Sequence, residues 1–298
     1  MLTALTAAAS LPAVSAAPQP LRVPLTILRN NPVTTVEVAG HEIKVVVDTG
    51  GGVLGLTADA LEEAGAVELT DGRTIWTDAK GQAHEARRYS VPQLRVDGRV
   101  FRDVDAIESE AIADDPPVPN VLGREVLRQF IVVMDYPGRM MTLLPLETAD
   151  AEAEKLGCKG TRVPFERASA PSLVVTEVKL DGATMRLAWD TGAQYSTLPA
   201  GVATAYQLPV TPPVGQKPPF YNTKRLILGG ADFGPLEFVV LPARTAERLR
   251  WHARLQHRRH ACGLPELRTE QAARSLIGNR RKVRACVCSR TLNDERRS

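Results

Sequence analysis

The triplet Asp-Thr-Gly occurs twice in this chain, as Asp48-Thr49-Gly50 and Asp190-Thr191-Gly192, each time at the end of an apolar run that follows a tight turn. Residues 33–61 overlay residues 175–203 without a gap: Val36 meets Val178, Gly40 meets Gly182, Ile43 meets Met185, Val47 meets Trp189 and Leu56 meets Leu198. One such triplet alone marks only a turn after a strand. Here each copy closes a unit of strand, Ala39-Gly40 or Asp181-Gly182 turn, and strand, and each is followed by a helix-like stretch. Two related halves are therefore expected, each a hairpin feeding an acidic loop that delivers one carboxylate.

The repeat extends beyond the triplets. Leu94, Val96, Gly98, Phe101 and Val104 in the first half return as Leu226, Leu228, Gly230, Phe233 and Leu236 in the second. Short Val/Leu/Thr runs separated by Gly, Pro and Asp-Gly turns predict a mainly β chain, with short helices near 58–64, 125–129 and 200–206. At 298 residues and 44% hydrophobic content the chain has material for two modest cores. Residues 147–160 are charged, Ala-rich and poor in large apolar groups, and are expected to link the halves.

The first half also contains Val121-Leu122-Gly123, then Glu125-Val126-Leu127-Arg128-Gln129-Phe130 and Ile131-Val132-Val133-Met134-Asp135-Tyr136. With the two triplets, these pieces resemble the pepsin/retropepsin class of aspartic proteases, and more closely its bacterial two-lobed members with retropepsin-like halves. The resemblance covers most of residues 21–242. It implies a two-lobed, pepsin-like acid protease architecture built from two retropepsin-like β-barrel halves, with Asp48 and Asp190 catalytic. It further implies that the Thr49 and Thr191 hydroxyls bond across to the opposite loop and that the strand ending in Gly123 supports the first loop. Gly50 and Gly192 let each loop turn sharply and approach its mate.

The chemistry explains the doubling. Peptide hydrolysis without a metal or covalent nucleophile needs one group to take a proton from water and another to give one to the substrate. Two adjacent carboxylates cannot both ionise comfortably, so they share a proton, as the pair in pepsin does. In pepsins the residue after the triplet is often Ser or Thr, which supports the charged carboxylate. Here it is Gly51 and Ala193, so an activity optimum less acidic than pepsin's is expected. The resemblance implies no cofactor and no metal.

A substrate cover is expected in the first half. Ile75-Trp76-Thr77 and Arg87-Arg88-Tyr89-Ser90 flank the polar turn Asp78-Ala79-Lys80-Gly81, which reads either as a flap with Trp76, Gly81 and Tyr89 touching peptide or as an ordinary hairpin with its aromatics in the core. The Pro-rich stretch 208–219 in the second half is too interrupted for a comparable ladder.

Past Pro242 the repeat stops where a second apolar-apolar-Gly element, helix and closing strand are due. Residues 243–298 hold 15 Lys and Arg against 5 Asp and Glu, whereas the other 242 residues hold 22 against 29. So abrupt a change, where an expected core element disappears, is what a reading-frame change in the coding DNA would produce. The chain therefore reads as a signal-like segment (1–20), a first lobe (21–146), a linker (147–160), an incomplete second lobe (161–242) and a basic atypical tail (243–298), the last expected to be solvated. His252, His257, His260 and Cys262 match no zinc spacing, and a basic tail meets nucleic acid or anionic lipid by charge alone, without specificity.

Residues 2–17 are uncharged and Ala/Leu-rich and end near Val14-Ser15-Ala16, an export-type pattern too short for a stable membrane span. The expectation is an exported aspartic endopeptidase acting on peptides or proteins, with a monomer sufficient because both carboxylates come from one chain. Two alternatives stand beside it. One is a catalytically silent peptide-binding homologue, favoured by the incomplete second lobe. The other is a phosphate-handling Asp-x-Gly-Gly loop, disfavoured because the second copy lacks the extra glycines and no phosphate-cradling loop follows.

Overall fold

A computed structural model of the chain describes residues 19–77, 83–109, 118–148, 151–152, 155–156, 161–167, 174–215 and 217–242, with three short strands beyond them. The signal-like segment up to residue 18, Gly81 at the hairpin tip, most of the 147–160 linker and most of the basic tail lie outside the described residues.

The chain is mainly β, and the repeat sets its plan. In the first half β1 (Leu21–Pro24), β2 (Thr26–Leu28), β3 (Asn31–Val38) and β4 (His41–Val47) precede the first acidic loop. After it come β5 (Leu54–Leu56), α1 (Ala58–Glu63), β6 (Val67–Thr77), β7 (Ala83–Val96) and β8 (Arg99–Glu108). The half closes with β9 (Asn120–Leu122), α2 (Arg124–Leu127), β10 (Phe130–Asp135) and β11 (Met140–Pro145). Helix α1 starts where Thr57 caps it, its hydroxyl accepting from Ala60 N at 3.3 Å.

The second half repeats the order with β12 (Thr161–Arg167), β13 (Val174–Leu180), β14 (Ala183–Trp189), β15 (Ser196–Pro199) and α3 (Ala200–Ala205). It continues with β16 (Phe220–Thr223), β17 (Leu226–Leu228), β18 (Ala231–Asp232) and β19 (Leu236–Leu241). These three helices fall where the sequence places them, within about two residues. Among the described residues of 208–219 the strand pairing is limited to the bridges Thr211↔Phe220 and Val214↔Lys217, as the prolines dictate.

Equivalent turns and pairings make the repeat a structural one. Ala39-Gly40 has φ of 48° and 95°, and Asp181-Gly182 has 48° and 91°. Two successive positive φ values define the turn whose twist matches the flanking strands. Val38 then pairs with Leu94, and Leu180 with Leu226. Ala39 N donates to Gln93 O, and Asp181 N to Arg225 O, both at 3.0 Å.

Each half has its own core. Val36, Val38, Val45, Val47, Leu54, Leu56, Leu94 and Phe130 anchor the first, and Val178, Leu180, Leu187, Leu198, Tyr221 and Phe238 the second. Alternate residues of β3 and β4 point into the core, so a slip of one residue would turn the whole apolar set to water. The first half's main sheet runs β2-β3-β4-β9-β5-β8-β7-β6. Strand β9 therefore lies against β4, the strand that ends at Asp48.

The described parts of the tail are three strands, β20 (His252–Ala253), β21 (Gly263–Leu267) and β22 (Ala285–Val287). They are sheet members rather than the solvated tail expected. Strand β20 pairs in parallel with Ala188 and Trp189 of β14, as β9 pairs with β4. Strands β22 and β21 pair with β10 and β12, joining the two halves in one sheet. The reason is backbone hydrogen bonding: β10, β12 and β14 present N–H and C=O groups that any chain within reach can pair with. No helix among the described residues is long and apolar enough to cross a membrane.

The second half carries a polar staple that the first lacks, because Asp181 stands where the first half has Ala39. The Asp181 carboxylate accepts from Tyr221 Oη at 2.5 Å, Thr223 Oγ1 at 3.0 Å, Lys224 N at 3.1 Å and Arg225 N at 2.8 Å. Partial burial alone would raise its pKa, but these donors outweigh burial and hold it below the usual carboxylate range. Burial and the Asp181 bond push the Tyr221 hydroxyl up to about 12. A depressed carboxylate adds stability that is present above its unfolded value and is lost as pH falls through its folded one. Asp181→Ala is expected to lower the melting temperature by about 3–6 °C at pH 7. The deficit should shrink below pH 3.8, measured by thermal unfolding across pH.

Candidate active site

Strands β4 and β14 end at Asp48 and Asp190, and the two acidic loops meet face to face. The bonds between them are reciprocal. Thr49 N donates to Thr191 Oγ1 at 3.0 Å, and Thr191 N donates to Thr49 Oγ1 at 3.1 Å. Each hydroxyl then donates onward to the opposite strand end, Thr191 Oγ1 to Val47 O at 2.6 Å and Thr49 Oγ1 to Trp189 O at 3.4 Å.

The glycines make the approach possible. A Cβ on Gly50 would lie 2.5 Å from Asp190 Cγ, and one on Gly192 would strike Asp48 Cγ. Each glycine thus vacates the space that the opposite carboxyl fills. Gly50 N donates to Asp48 Oδ1 at 2.7 Å, and Gly192 N donates to Asp190 Oδ1 at 2.8 Å. The two carboxyls also hydrogen-bond one another.

Such a bond requires a proton between them. Both aspartates are half-buried at the meeting of the loops. Burial first, then the charge of Asp190 and the hydrogen bond to it, push the Asp48 carboxyl well above its ordinary value, against the pull of the Gly51 and Gly50 N–H groups. A pair that shares one proton holds an acid and a base side by side.

Support for the first loop comes from its own half. Gly123 lies where a side chain would strike Val53 O, and the next residue, Arg124, donates to Gly51 O from its backbone N at 2.8 Å and from Nε at 3.3 Å. Asn120, 8% exposed, accepts from Thr57 N at 3.0 Å and donates to Lys44 O at 3.3 Å, tying β4 to the start of α1. Sequence reading missed Arg124 and Asn120. Their adjacency to Val121-Leu122-Gly123 was the available signal.

The flap residues separate. Trp76 and His84 are a cross-strand pair next to the hairpin tip, stacked at 4.6 Å between ring centroids. Tyr89 packs against the first core, its hydroxyl 3.4 Å from Glu108 and the Arg87 guanidinium over its ring. Tyr89 thus takes the core alternative, since β7 points it inward there. Gly81 lies outside the described residues. Among the described residues no group of His, Cys, Asp and Glu is arranged to hold a metal ion.

Two Asp-Thr-Gly loops locked together over a shared proton define an aspartic-protease type of site. Residues 34–129 match the family model described as "gag-polyprotein putative aspartyl protease", so this part of the first half is similar to retropepsin-like aspartyl proteases. Similar solved structures include a retropepsin-like aspartic protease from Rickettsia conorii, at 18% identity over 42% of this chain and 90% of that one, TM-score 0.32. Conglutin gamma, a basic 7S globulin from lupine seeds, is similar at 11% identity over 80% and 90%, TM-score 0.49. Basic 7S globulin from soybean is similar at 12% identity over 76% and 90%, TM-score 0.48. No curated protein matches the chain.

A carboxyl held protonated by its fold works against stability as pH rises above its unfolded value, because the unfolded chain ionises more easily. Asp48→Asn removes that conflict. The variant is expected to melt about 2–6 °C above the parent at pH 7, with the gap closing toward pH 3.8, measured by calorimetry.

Proposed function

We propose that the chain is an aspartic endopeptidase in which a water held between Asp48 and Asp190 is the nucleophile. The two carboxyls brought face to face by the locked loops, each filling the space left by the opposite glycine, carry this reading. The match of residues 34–129 to an aspartyl protease family model supports aspartic protease activity at the level of class.

The pair enters the reaction with one shared proton, donated from the Asp48 side. The Asp190 carboxylate, which accepts from two backbone N–H groups, takes a proton from the water as its oxygen bonds to the substrate carbonyl carbon. Asp48 gives its proton to the carbonyl oxygen, leaving a neutral tetrahedral diol. The dyad then takes a proton back from a diol hydroxyl and delivers one to the amide nitrogen. The C–N bond breaks, releasing a carboxylic acid and an amine. Preorganisation by the threonine lock keeps the two oxygens placed throughout.

The same reading takes the hairpin of β6 and β7 as a flap that closes over the peptide, with Trp76 beside its tip. Export, a monomeric active site and the five-part division of the chain belong to it as well. A silent peptide-binding role is the competing reading. It is favoured by the tail-derived, two-residue β20, which stands where the first half has Val121-Leu122-Gly123.

Peptide cleavage from pH 3 to pH 7 separates the two. The parent is expected to cleave, and Asp48→Asn and Asp190→Asn to lose at least about 1000-fold in kcat at unchanged foldedness. A folded parent silent at every pH would leave the binding role. The optimum should lie above pepsin's range, because backbone N–H groups, with no neighbouring hydroxyl, support the charged forms. An optimum near pH 2 would refute that. Ala193→Ser, adding a hydroxyl beside Asp190, is expected to move the acid limb down by about 0.5–1 pH unit.

A further inference from the structure

The turn that opens the first half reaches across to the second half's acidic loop. Arg29 and Asn30 join β2 to β3 with φ of 44° and 68°, again the paired left-handed residues of a tight hairpin. Asn31 therefore begins β3, opposite Leu28. It is only 7% exposed. Its Nδ2 donates to the carbonyl oxygen of Gly192 at 2.5 Å, and Asn30 Nδ2 donates to Gln194 O at 3.4 Å. A buried amide must find partners, and this one finds its acceptor on the other half of the molecule.

What matters is which carbonyl it holds. Gly192 O and Ala193 N belong to one planar trans peptide, in which C=O and N–H point in opposite directions. A donor fixed on the oxygen therefore aims the N–H the other way, and Ala193 N donates to Asp190 Oδ1 at 3.2 Å. Gly192 N reaches the same oxygen at 2.8 Å. The first loop is held differently, with Gly51 O taken by Arg124 from within its own half. Carrying the gapless repeat two residues upstream places Leu173 opposite Asn31. Its side chain has no hydrogen-bonding group, so the sequence repeat carries no second copy of Asn31.

We propose that Asn31 is a positioning residue of the site: it fixes the Gly192–Ala193 peptide so that two N–H groups converge on Asp190 Oδ1, making the second carboxylate depend on the first lobe for its placement. Its effect on catalysis rests on the endopeptidase reading. The hydrogen-bond relay does not.

The test compares the parent with Asn31→Leu and Asn31→Gln in the full chain, each checked for fold by circular dichroism and melting. Asn31→Ala replaces the Leu variant if Leu's bulk prevents folding. Loss of the donor frees the peptide and weakens the Ala193 N–H bond, so the Asp190 carboxylate loses a donor that supports its charged form. Asn31→Leu is expected to lower kcat about 10- to 100-fold with KM within about twofold. The acid limb should move up by about 0.5–1 pH unit. Asn31→Gln, which keeps an amide donor, should recover much of the rate and the profile. An unchanged rate and profile in the Leu variant, or a rate loss with no limb shift and no recovery by Gln, would overturn the proposal.

A second measurement needs no cleavage. The amide proton shift of Ala193 reports its hydrogen bond to Asp190. That signal should move upfield when Asn31→Leu is introduced, and an identical shift would overturn the relay. A parent that cleaves nothing would defeat the endopeptidase reading and leave this amide shift to decide the role of Asn31.

Discussion

The reciprocal bonds between Thr49 and Thr191 are the contact on which the site depends. Each threonine uses backbone N–H and side-chain hydroxyl together, so four hydrogen bonds cross between the loops within one small patch. They hold Gly50 against Asp190 and Gly192 against Asp48, at a separation that leaves no room for a Cβ. At that separation two negative charges oppose one another strongly, and a proton stays on the pair. Burial where the loops meet first, and this repulsion second, raise the pKa of Asp48, and both follow from loop geometry.

Around this symmetric centre the supports are unequal. The Asp48 loop rests on β9, Gly123 and Arg124, all from its own half, with Asn120 tying β4 to the neighbouring helix. The Asp190 loop takes its polar support from Asn31 across the divide, and its neighbouring strand is the two-residue β20 from the basic tail. Asp181 compensates within the second half by gathering four donors on one carboxylate beside the hairpin turn. The shared-proton arrangement tolerates this inequality only while both carboxylates stay in place. The second loop, with less of its own lobe beneath it, is where misplacement would begin.

Much of the plan was legible along the chain because it is local and periodic. The paired turns at Ala39-Gly40 and Asp181-Gly182, the alternation of β3 and β4, and the recurrence of Leu94 and Phe101 as Leu226 and Phe233 need only neighbouring residues to be read. Tyr89 shows the limit of that reading: it lies in a hairpin expected to cover substrate, yet the strand's alternation turns it to the core and its hydroxyl to Glu108. Arg124, Asn120 and Asn31 escaped because their partners lie 73, 63 and 161 residues away in the chain. A polar side chain at such a position looks like any surface residue until its acceptor is located.

The tail divides the same way. Its charge and the failure of the repeat past Pro242 are properties of composition, visible at once. That three of its segments enter the sheet is decided by unpaired strand edges elsewhere in the molecule. The amino-acid sequence by itself determined that there are two acidic loops, one per half, and which residues flank them, because strand periodicity and turn chemistry act over a few residues. Only the tertiary structure decided that the loops meet, that one carboxyl keeps a proton and that Asn31 holds the opposite loop. Hydrogen bonds and charge repulsion act through space, over a few ångströms, between residues that the chain itself keeps far apart.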